Sequence, residues 1–287
     1  MNVTKYHGTG NDFVVVDADD TVSDRSRFSR AVCDRADGLA HPDSPRTGAD
    51  GVLFLDPRPG DPPRVDMTLV QPDGSTAAMC GNGARCAADW AVRRLAGAEE
   101  DAPAEVVVDT GAGPRRAEVG GEVTIGMGEP QFVPETVPVE SAEPLVEKPV
   151  GGLSVTAVNT GVPHAVAFVD SVADVDVAEV GPAVRHAGLF PEGANLTIAT
   201  RRADGGFDQR TYERGVEDET HSCGTGAVAV AAVARRLGRV DRGEAVPIHP
   251  PGGRLVVTVT GGDATLRGPV VREFVADLSR HVDTTGD

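Results

Sequence analysis

Lysine is nearly missing from this chain. Of 27 Lys and Arg residues only Lys5 and Lys148 are lysines, against 44 Asp and Glu, which leaves a formal net charge of −17 over 287 residues. A surface this acidic repels phosphate backbones, so nucleic acid is a poor partner. Acid excess with so little lysine also fits a protein built for high salt, where screening relieves the self-repulsion of the compact state. A high-GC genome would explain arginine in place of lysine but not the acidity. Cysteine is scarce as well: Cys33, Cys80, Cys86 and Cys223 form no C-x-x-C, and the Cys80 to Cys86 spacing fits no common zinc site. Free thiols are expected, not a structural disulfide. No apolar run is long enough to span a bilayer, and the start MNVTKYHGTGNDF lacks a basic segment followed by an apolar stretch. No membrane partner, no secretory signal and a cytoplasmic location are therefore expected. The chain also lacks a Walker A or dinucleotide-binding glycine pattern and any histidine cluster at metal-ligand spacing, so neither nucleotide cofactor nor metal is expected.

What is present is a repeated device. MCGNGARC at 79–86 leads into an Ala-rich run, and SCGTG at 222–226 leads into AVAVAAVARRLG. Aligned on Cys80 and Cys223, both read Cys-Gly-x-Gly-Ala, then an Ala/Val-rich stretch, then Arg-Arg-Leu. An internal repeat of this size argues for two similar halves. TGNDFVVVD (9–17) pairs with TGVPHAVAFVD (160–170), and GAGPRRAEVGGEVTIGMGEP (111–130) with PGGRLVVTVTGGDATLRGP (251–269). Each half thus has a Gly turn and apolar strand, a Cys-Gly-x-Gly helix and a Gly-Gly hairpin.

Val-rich segments bounded by Gly, Asp or Pro recur as strands at 12–18, 51–56, 64–70, 105–110, 153–161, 164–170, 254–261 and 263–271. Helices are fewer: 26–38 and 176–188 match across the halves, as do the two runs after the cysteines. Runs of strands around few helices point to an α+β fold and away from a βαβ parallel sheet. The run from Ala227 to Ala234 has no polar face, so it belongs inside. The expected architecture is two pseudo-symmetric domains, each a mostly antiparallel, barrel-like sheet around a buried central helix. The first covers 1–130 with Cys80 and the second 150–270 with Cys223. The Pro- and Glu-rich stretch 131–149 is expected to link them, and 271–287 to pack back on the first half with a disordered end.

A helix start carries unpaired N–H groups and partial positive charge; it favours a nearby thiolate and binds carboxylates. Two such starts could hold a substrate carboxylate on the N–H groups of Gly81, Asn82, Gly224 and Thr225. Cys80 and Cys223 would then reach the adjacent carbon from opposite sides. One thiolate removes the α-proton, the other thiol replaces it, and the centre inverts without metal or pyridoxal phosphate.

HGTGNDFVVVD, RTGADG, PDGS, MCGNGARC, GVPH, RTYERG and SCGTGA run in order from residue 7 to 227. Together they resemble the diaminopimelate epimerase family, cofactor-independent isomerases that interconvert LL- and meso-diaminopimelate on the route to lysine, and the likeness covers essentially the whole chain. The resemblance implies that fold, a small-molecule substrate, no cofactor and a homodimer. It implies that Cys80 and Cys223 are the acid–base pair and that His164 and Glu213 assist near the thiols. Asn11, Asn195, Glu213 and Arg214 would read the substrate's amino and carboxylate groups. Gln71 stands where the family commonly has an asparagine that contacts the distal end, Val162 where many members have asparagine, and Gly51 where some have glutamine. Extra residues in RGVEDETHSCG depart from the family too; these changes leave the inversion chemistry intact and bear on recognition of the substrate's distal end. Cys33 and Cys86 are expected to be small buried hydrophobes. The alternatives are an epimerase or racemase of proline, hydroxyproline or histidine on the same fold, and a binding protein that keeps the pocket without inversion.

Overall fold

The computed structural model describes residues 1–96 and 104–278. The chain divides into two compact units, residues 1–125 with the chain from 269 onward, and residues 126–268. The first contains β1 (Asn2–Gly8), β2 (Asn11–Asp17), α1 (Arg25–Cys33), β3 (Gly51–Arg58), β4 (Arg64–Val70), β5 (Thr76–Ala77), α2 (Gly81–Ala96), β6 (Ala104–Thr110), β7 (Gly113–Val119) and the start of β8 (Val123–Gly128). The second contains β9 (Lys148–Val150), β10 (Leu153–Asn159), β11 (Pro163–Phe168), α3 (Val177–Arg185), β12 (Asn195–Arg201), β13 (Phe207–Glu213), β14 (Asp218–Thr220), α4 (Gly224–Arg236), β15 (Ala245–His249), β16 (Leu255–Val259) and β17 (Ala264–Gly268). β18 (Val271–Asp277) pairs antiparallel with β1 in the first unit. The end of that segment, from 279, lies outside the described residues.

The repeat in the sequence reappears as a repeat of pairings. In the first unit β1 pairs antiparallel with β2, β2 parallel with β3, β3 antiparallel with β4, and β4 parallel with β6, which continues antiparallel through β7 to β8. In the second unit β10, β11, β12, β13, β15, β16 and β17 follow the same succession. The sheet is mostly antiparallel, as the strand pattern suggests, but each unit also holds two parallel pairs. A helix bridges each of them, because parallel neighbours need a crossover connection.

The strand β2 explains why its sequence is continuously apolar. Val14 and Val16 belong to a core with Cys33 and the α1 side chains Phe28 and Val32, while Phe13 lies against Gly83 of α2. A strand covered on both faces loses its alternation of polar and apolar residues. In the second unit Leu196 and Ile198 of β12 face Val177 and Val184 of α3. Asn195 and Thr197, on the other face by alternation, turn toward α4. Every residue from Gly224 to Ala234 is buried, and α4 is packed by β10 to β13 and β15 to β17. Its alanines and valines keep it slim enough for strands to close around it.

Three expectations change in detail. Residues 131–149 do not stand apart as a linker: Val137, Val139 and Leu145 are buried in the core of the second unit. Proline prevents regular pairing there without preventing burial of the valines between. The strand expected over 263–271 is interrupted at Pro269, which separates β17 from β18. The helix expected to 38 ends at Cys33, where the Asp34 side chain captures the N–H groups of Ala36 and Asp37 in a turn. Among the described residues no helix is long and apolar enough to cross a membrane.

Candidate active site

In the first unit Cys80 stands immediately before α2. Its carbonyl accepts from Ala84 N at 2.8 Å and its sulfur from Gly83 N at 3.4 Å, so the thiol caps the helix start in place of a serine or aspartate oxygen. Beside it the two-residue turn Thr9–Gly10 has positive φ at both positions, 51° and 89°, as a tight hairpin between β1 and β2 demands. That turn presents Asn11, whose Oδ1 accepts from Asn82 Nδ2 at 2.5 Å and whose Nδ2 donates to Asp50 Oδ2 at 3.1 Å. Asn82 Oδ1 in turn accepts from Arg85 Nη1 at 2.9 Å, and Arg85 Nη2 donates to Thr9 Oγ1 at 2.9 Å.

Arg85 is wholly buried, and its Nε has no hydrogen-bond partner among the described residues. Burial pushes its pKa down, and the nearby Cys86 and Cys80 act in the opposite sense. Farther back, Lys5 and Asp12 form a fully buried ion pair at 2.7 Å, joined by Arg35 at 2.8 Å from Asp12. Burial alone would raise the Asp12 carboxyl; Arg35 and Lys5 outweigh it and hold the group below its usual range. Arg35 also meets Asp50, so the charged network ends on the carboxylate that holds Asn11.

In the second unit Cys223 is the N-cap of α4, and its sulfur accepts from Gly226 N, again at 3.4 Å. Thr225 Oγ1 lies 3.3 Å from the sulfur and 3.0 Å from His164 Nε2. Thr160 Oγ1 donates to the Thr225 carbonyl at 2.9 Å. Burial, with a smaller contribution from the Arg214 charge, pushes the pKa of His164 down to about 3. Asn195 Oδ1 accepts from Arg214 N at 2.7 Å, and Glu213 accepts from the Thr220 hydroxyl. Arg214 donates through Nη1 to the carbonyls of Glu192 and Gly193 at 3.1 and 3.5 Å.

The expected residues therefore gather as two groups: Cys80, Gly81, Asn82 and Asn11 around the start of α2, and Cys223, Gly224, Thr225, His164, Asn195, Glu213 and Arg214 around the start of α4. Gln71 has no hydrogen bond to either group among those described. It lies in the turn after β4 with its Nε2 on Ser75 Oγ at 2.8 Å. At Gly51 an added Cβ would sit 2.8 Å from Leu69 Cδ1 and 3.2 Å from the Val70 carbonyl, so a larger residue there would require the Leu69 side chain to shift. Cys33 and Cys86 are buried thiols; burial pushes Cys33 up to about 11 and Cys86 higher still. Sequence reading missed Arg85, whose signal is one cation among the buried residues of α2, and the hydroxyls around His164. Among the described residues no cluster of His, Cys, Asp and Glu could hold a metal ion.

Comparison with known proteins places the chain in a family. A family profile described as diaminopimelate epimerase matches residues 3–133 and 156–272. A diaminopimelate epimerase of Methanothrix thermoacetophila is 41% identical over 286 residues, covering 94% of this chain and 93% of its own. One from Methanocella arvoryzae is 42% identical over 287 residues, covering 97% and 96%. Among solved structures, a probable proline racemase of Agrobacterium radiobacter has a TM-score of 0.69 at 15% identity over 97% of this chain and 93% of that one, a likeness of fold alone.

Proposed function

The chain belongs to the diaminopimelate epimerase family, and from that premise we propose that it interconverts LL- and meso-diaminopimelate in lysine biosynthesis, with Cys80 and Cys223 as its two acid–base groups. The observation that carries this reading is the repeated helix cap: each thiol receives a backbone N–H from the residue three places on, at the same 3.4 Å. Such a cap stabilises a thiolate at rest and leaves the neighbouring N–H groups for a substrate carboxylate.

One thiolate takes the α-proton, forming its S–H bond as the Cα–H bond breaks. Charge that develops on the carboxylate is offset by the N–H groups of Gly81, Asn82, Gly224 and Thr225. The other thiol delivers its proton to the opposite face, and the two sulfurs end with exchanged protonation states. Such a route asks nothing of a metal or pyridoxal cofactor. Asn11, Asn195, Glu213 and Arg214 serve to orient the zwitterionic groups; Gln71 keeps the amide of the family's asparagine with one more methylene and meets the distal end in a shifted pose. A cytoplasmic homodimer is the expected form, checked by light scattering.

The test is conversion by the purified, reduced protein at high KCl, resolved by chiral chromatography. LL-diaminopimelate should yield the meso isomer, while proline, trans-4-hydroxyproline and histidine remain unchanged. Turnover of one of those three without diaminopimelate would contradict the proposal.

A further inference from the structure

Behind Cys223 lies a run of buried polar side chains that leads to His164, the histidine expected to assist near the thiols, and the proposed reaction assigns no part to the three that precede it. Gln209 and Thr211 on β13, Thr197 on β12 and His164 on β11 are each at most 2% exposed. They form a line: Gln209 Nε2 to Thr211 Oγ1 at 3.0 Å, Thr211 Oγ1 to Thr197 Oγ1 at 3.2 Å, and Thr197 Oγ1 to His164 Nδ1 at 3.0 Å. From there His164 Nε2 reaches Thr225 Oγ1 at 3.0 Å, and Thr225 Oγ1 reaches Cys223 Sγ at 3.3 Å. Gly226 makes room for the line. A Cβ there would lie 2.6 Å from Gln209 Nε2, 3.1 Å from Thr211 Oγ1 and 3.2 Å from Thr197 Oγ1.

The amide of Gln209, whose buried Oε1 has no partner among the described residues, sets the first direction, and the supply of hydroxyl protons orders the rest. Gln209 also lies 3.2 Å from the Cys223 carbonyl, which can only accept, so the amide nitrogen and not its oxygen must face that way. The same nitrogen donates to Thr211 Oγ1. Thr211 has one hydroxyl proton, and the next acceptor in the line is Thr197. Thr197 passes its own proton to His164 Nδ1, so the ring proton sits on Nε2. Nε2 then donates to Thr225, whose hydroxyl proton is left for the Cys223 sulfur. The opposite polarity would leave Thr211 with a buried proton and no acceptor in the line. Against this polarity stands one longer contact: Asn195 Nδ2, a donor whose orientation is fixed by the bond from Arg214 N to Asn195 Oδ1, lies 3.4 Å from His164 Nε2 and would favour an Nδ1–H ring, whereas the line of closer contacts, 3.0 Å at each ring nitrogen, favours Nε2–H. The low pKa of His164 keeps the ring neutral, with a single proton to place.

We infer that Gln209, Thr211 and Thr197 are positioning residues: they form a one-way hydrogen-bond line that locks His164 in its Nε2–H tautomer and, through Thr225, places a hydroxyl proton on the Cys223 sulfur, holding that thiolate ready. The inference rests on reading Cys223 as one of the two acid–base groups. The line itself touches no reacting atom before Thr225.

Long-range proton–nitrogen spectra of the ¹⁵N-histidine-labelled protein report the tautomer without altering a residue, with His164 assigned by comparison with His164→Gln. A neutral Nε2–H ring supports the line; an Nδ1–H or charged ring overturns it. Thr197→Val keeps the shape and removes the hydroxyl. It should slow alkylation of Cys223 by iodoacetamide at neutral pH by about tenfold and lower kcat similarly at unchanged KM, while Thr197→Ser stays within about twofold. Cys80 alkylation, followed in the same digest, should not change. Equal Cys223 alkylation in Thr197→Val and the parent would overturn the proposal. If Thr197→Val does not fold, Thr211→Val is the second variant with the same expectation. A parent protein with the Nε2–H tautomer but no epimerase activity would refute the reading of the active site while supporting the line.

Discussion

The two cysteines share a helix start and differ in what stands behind it. Each sulfur accepts the N–H of the residue three places on at 3.4 Å. Behind Cys80 the groups are ionic: Arg85 holds Asn82, Asn82 holds Asn11, and Asn11 rests on Asp50 beside Arg35, Asp12 and Lys5. Behind Cys223 they are neutral, passing from Thr225 through His164 to Thr197, Thr211 and Gln209. A helix cap needs only backbone geometry and a short run of residues, so it survives duplication intact. The polar layer that orients it draws on side chains from several strands, and charge or a line of hydroxyls can do that task.

The largest effect should come from the feature the halves share. Cys80→Ser and Cys223→Ala should each lower turnover by about 10³-fold or more, since general acid–base groups contribute on that order and a hydroxyl is a far weaker acid than a thiol. Melting temperature should change little. Near-parental turnover in one variant would mean that the halves are not chemically equivalent.

Next comes the contrast between ionic and neutral backing. Asp12→Asn leaves Lys5 buried without its carboxylate and should cost about 3–5 kcal/mol in urea unfolding. Thr197→Val removes neutral hydrogen bonds and should cost about 1–3 kcal/mol. If Asp12→Asn costs no more than Thr197→Val, the ionic network is not what holds the first unit's turn.

The pH response should separate the same two layers. His164 has an ordinary value of 6.5 and a folded value of about 3. The unfolded chain therefore binds a proton first, and stability falls as pH drops below about 6.5, by about 1.4 kcal/mol per pH unit. Asp12 is also depressed, from 3.8, so its contribution is present above that value and is lost only at lower pH. Urea midpoints measured down to about pH 4 should show the first loss in the parent and a shallower slope in His164→Gln. An identical slope in both would remove His164 as its source.

How much of this could be read beforehand depended on how local each feature is. The caps were readable because Cys80 and Cys223 carry the Gly-x-Gly signal within a few residues. The central burial of α4 was readable from Ala227 to Ala234, which offer no polar face. Residues 131–149 misled because proline and glutamate suggest exposure, whereas Val137, Val139 and Leu145 find a core supplied by strands far along the chain. Thr197 and Gln209 look like any polar strand residues until β12 and β13 pair and turn them under α4. Arg85 reads as a solvated arginine, and only the burial of α2 around it reveals otherwise. The smallest expected effect concerns composition alone: if the acidity is an adaptation to salt, the melting temperature should rise by a few degrees with KCl as screening relieves repulsion, and no rise would remove that explanation.

The most direct test of the paired thiols is the fate of the α-hydrogen during early turnover of LL-diaminopimelate in D2O, followed by proton NMR and mass spectrometry. Two thiols acting from opposite faces predict meso product carrying deuterium at the inverted carbon while unreacted LL substrate keeps its protium. Deuterium in unreacted LL substrate before product forms, or product that retains the original protium, would mean that one group serves both faces and would contradict the paired-thiol mechanism.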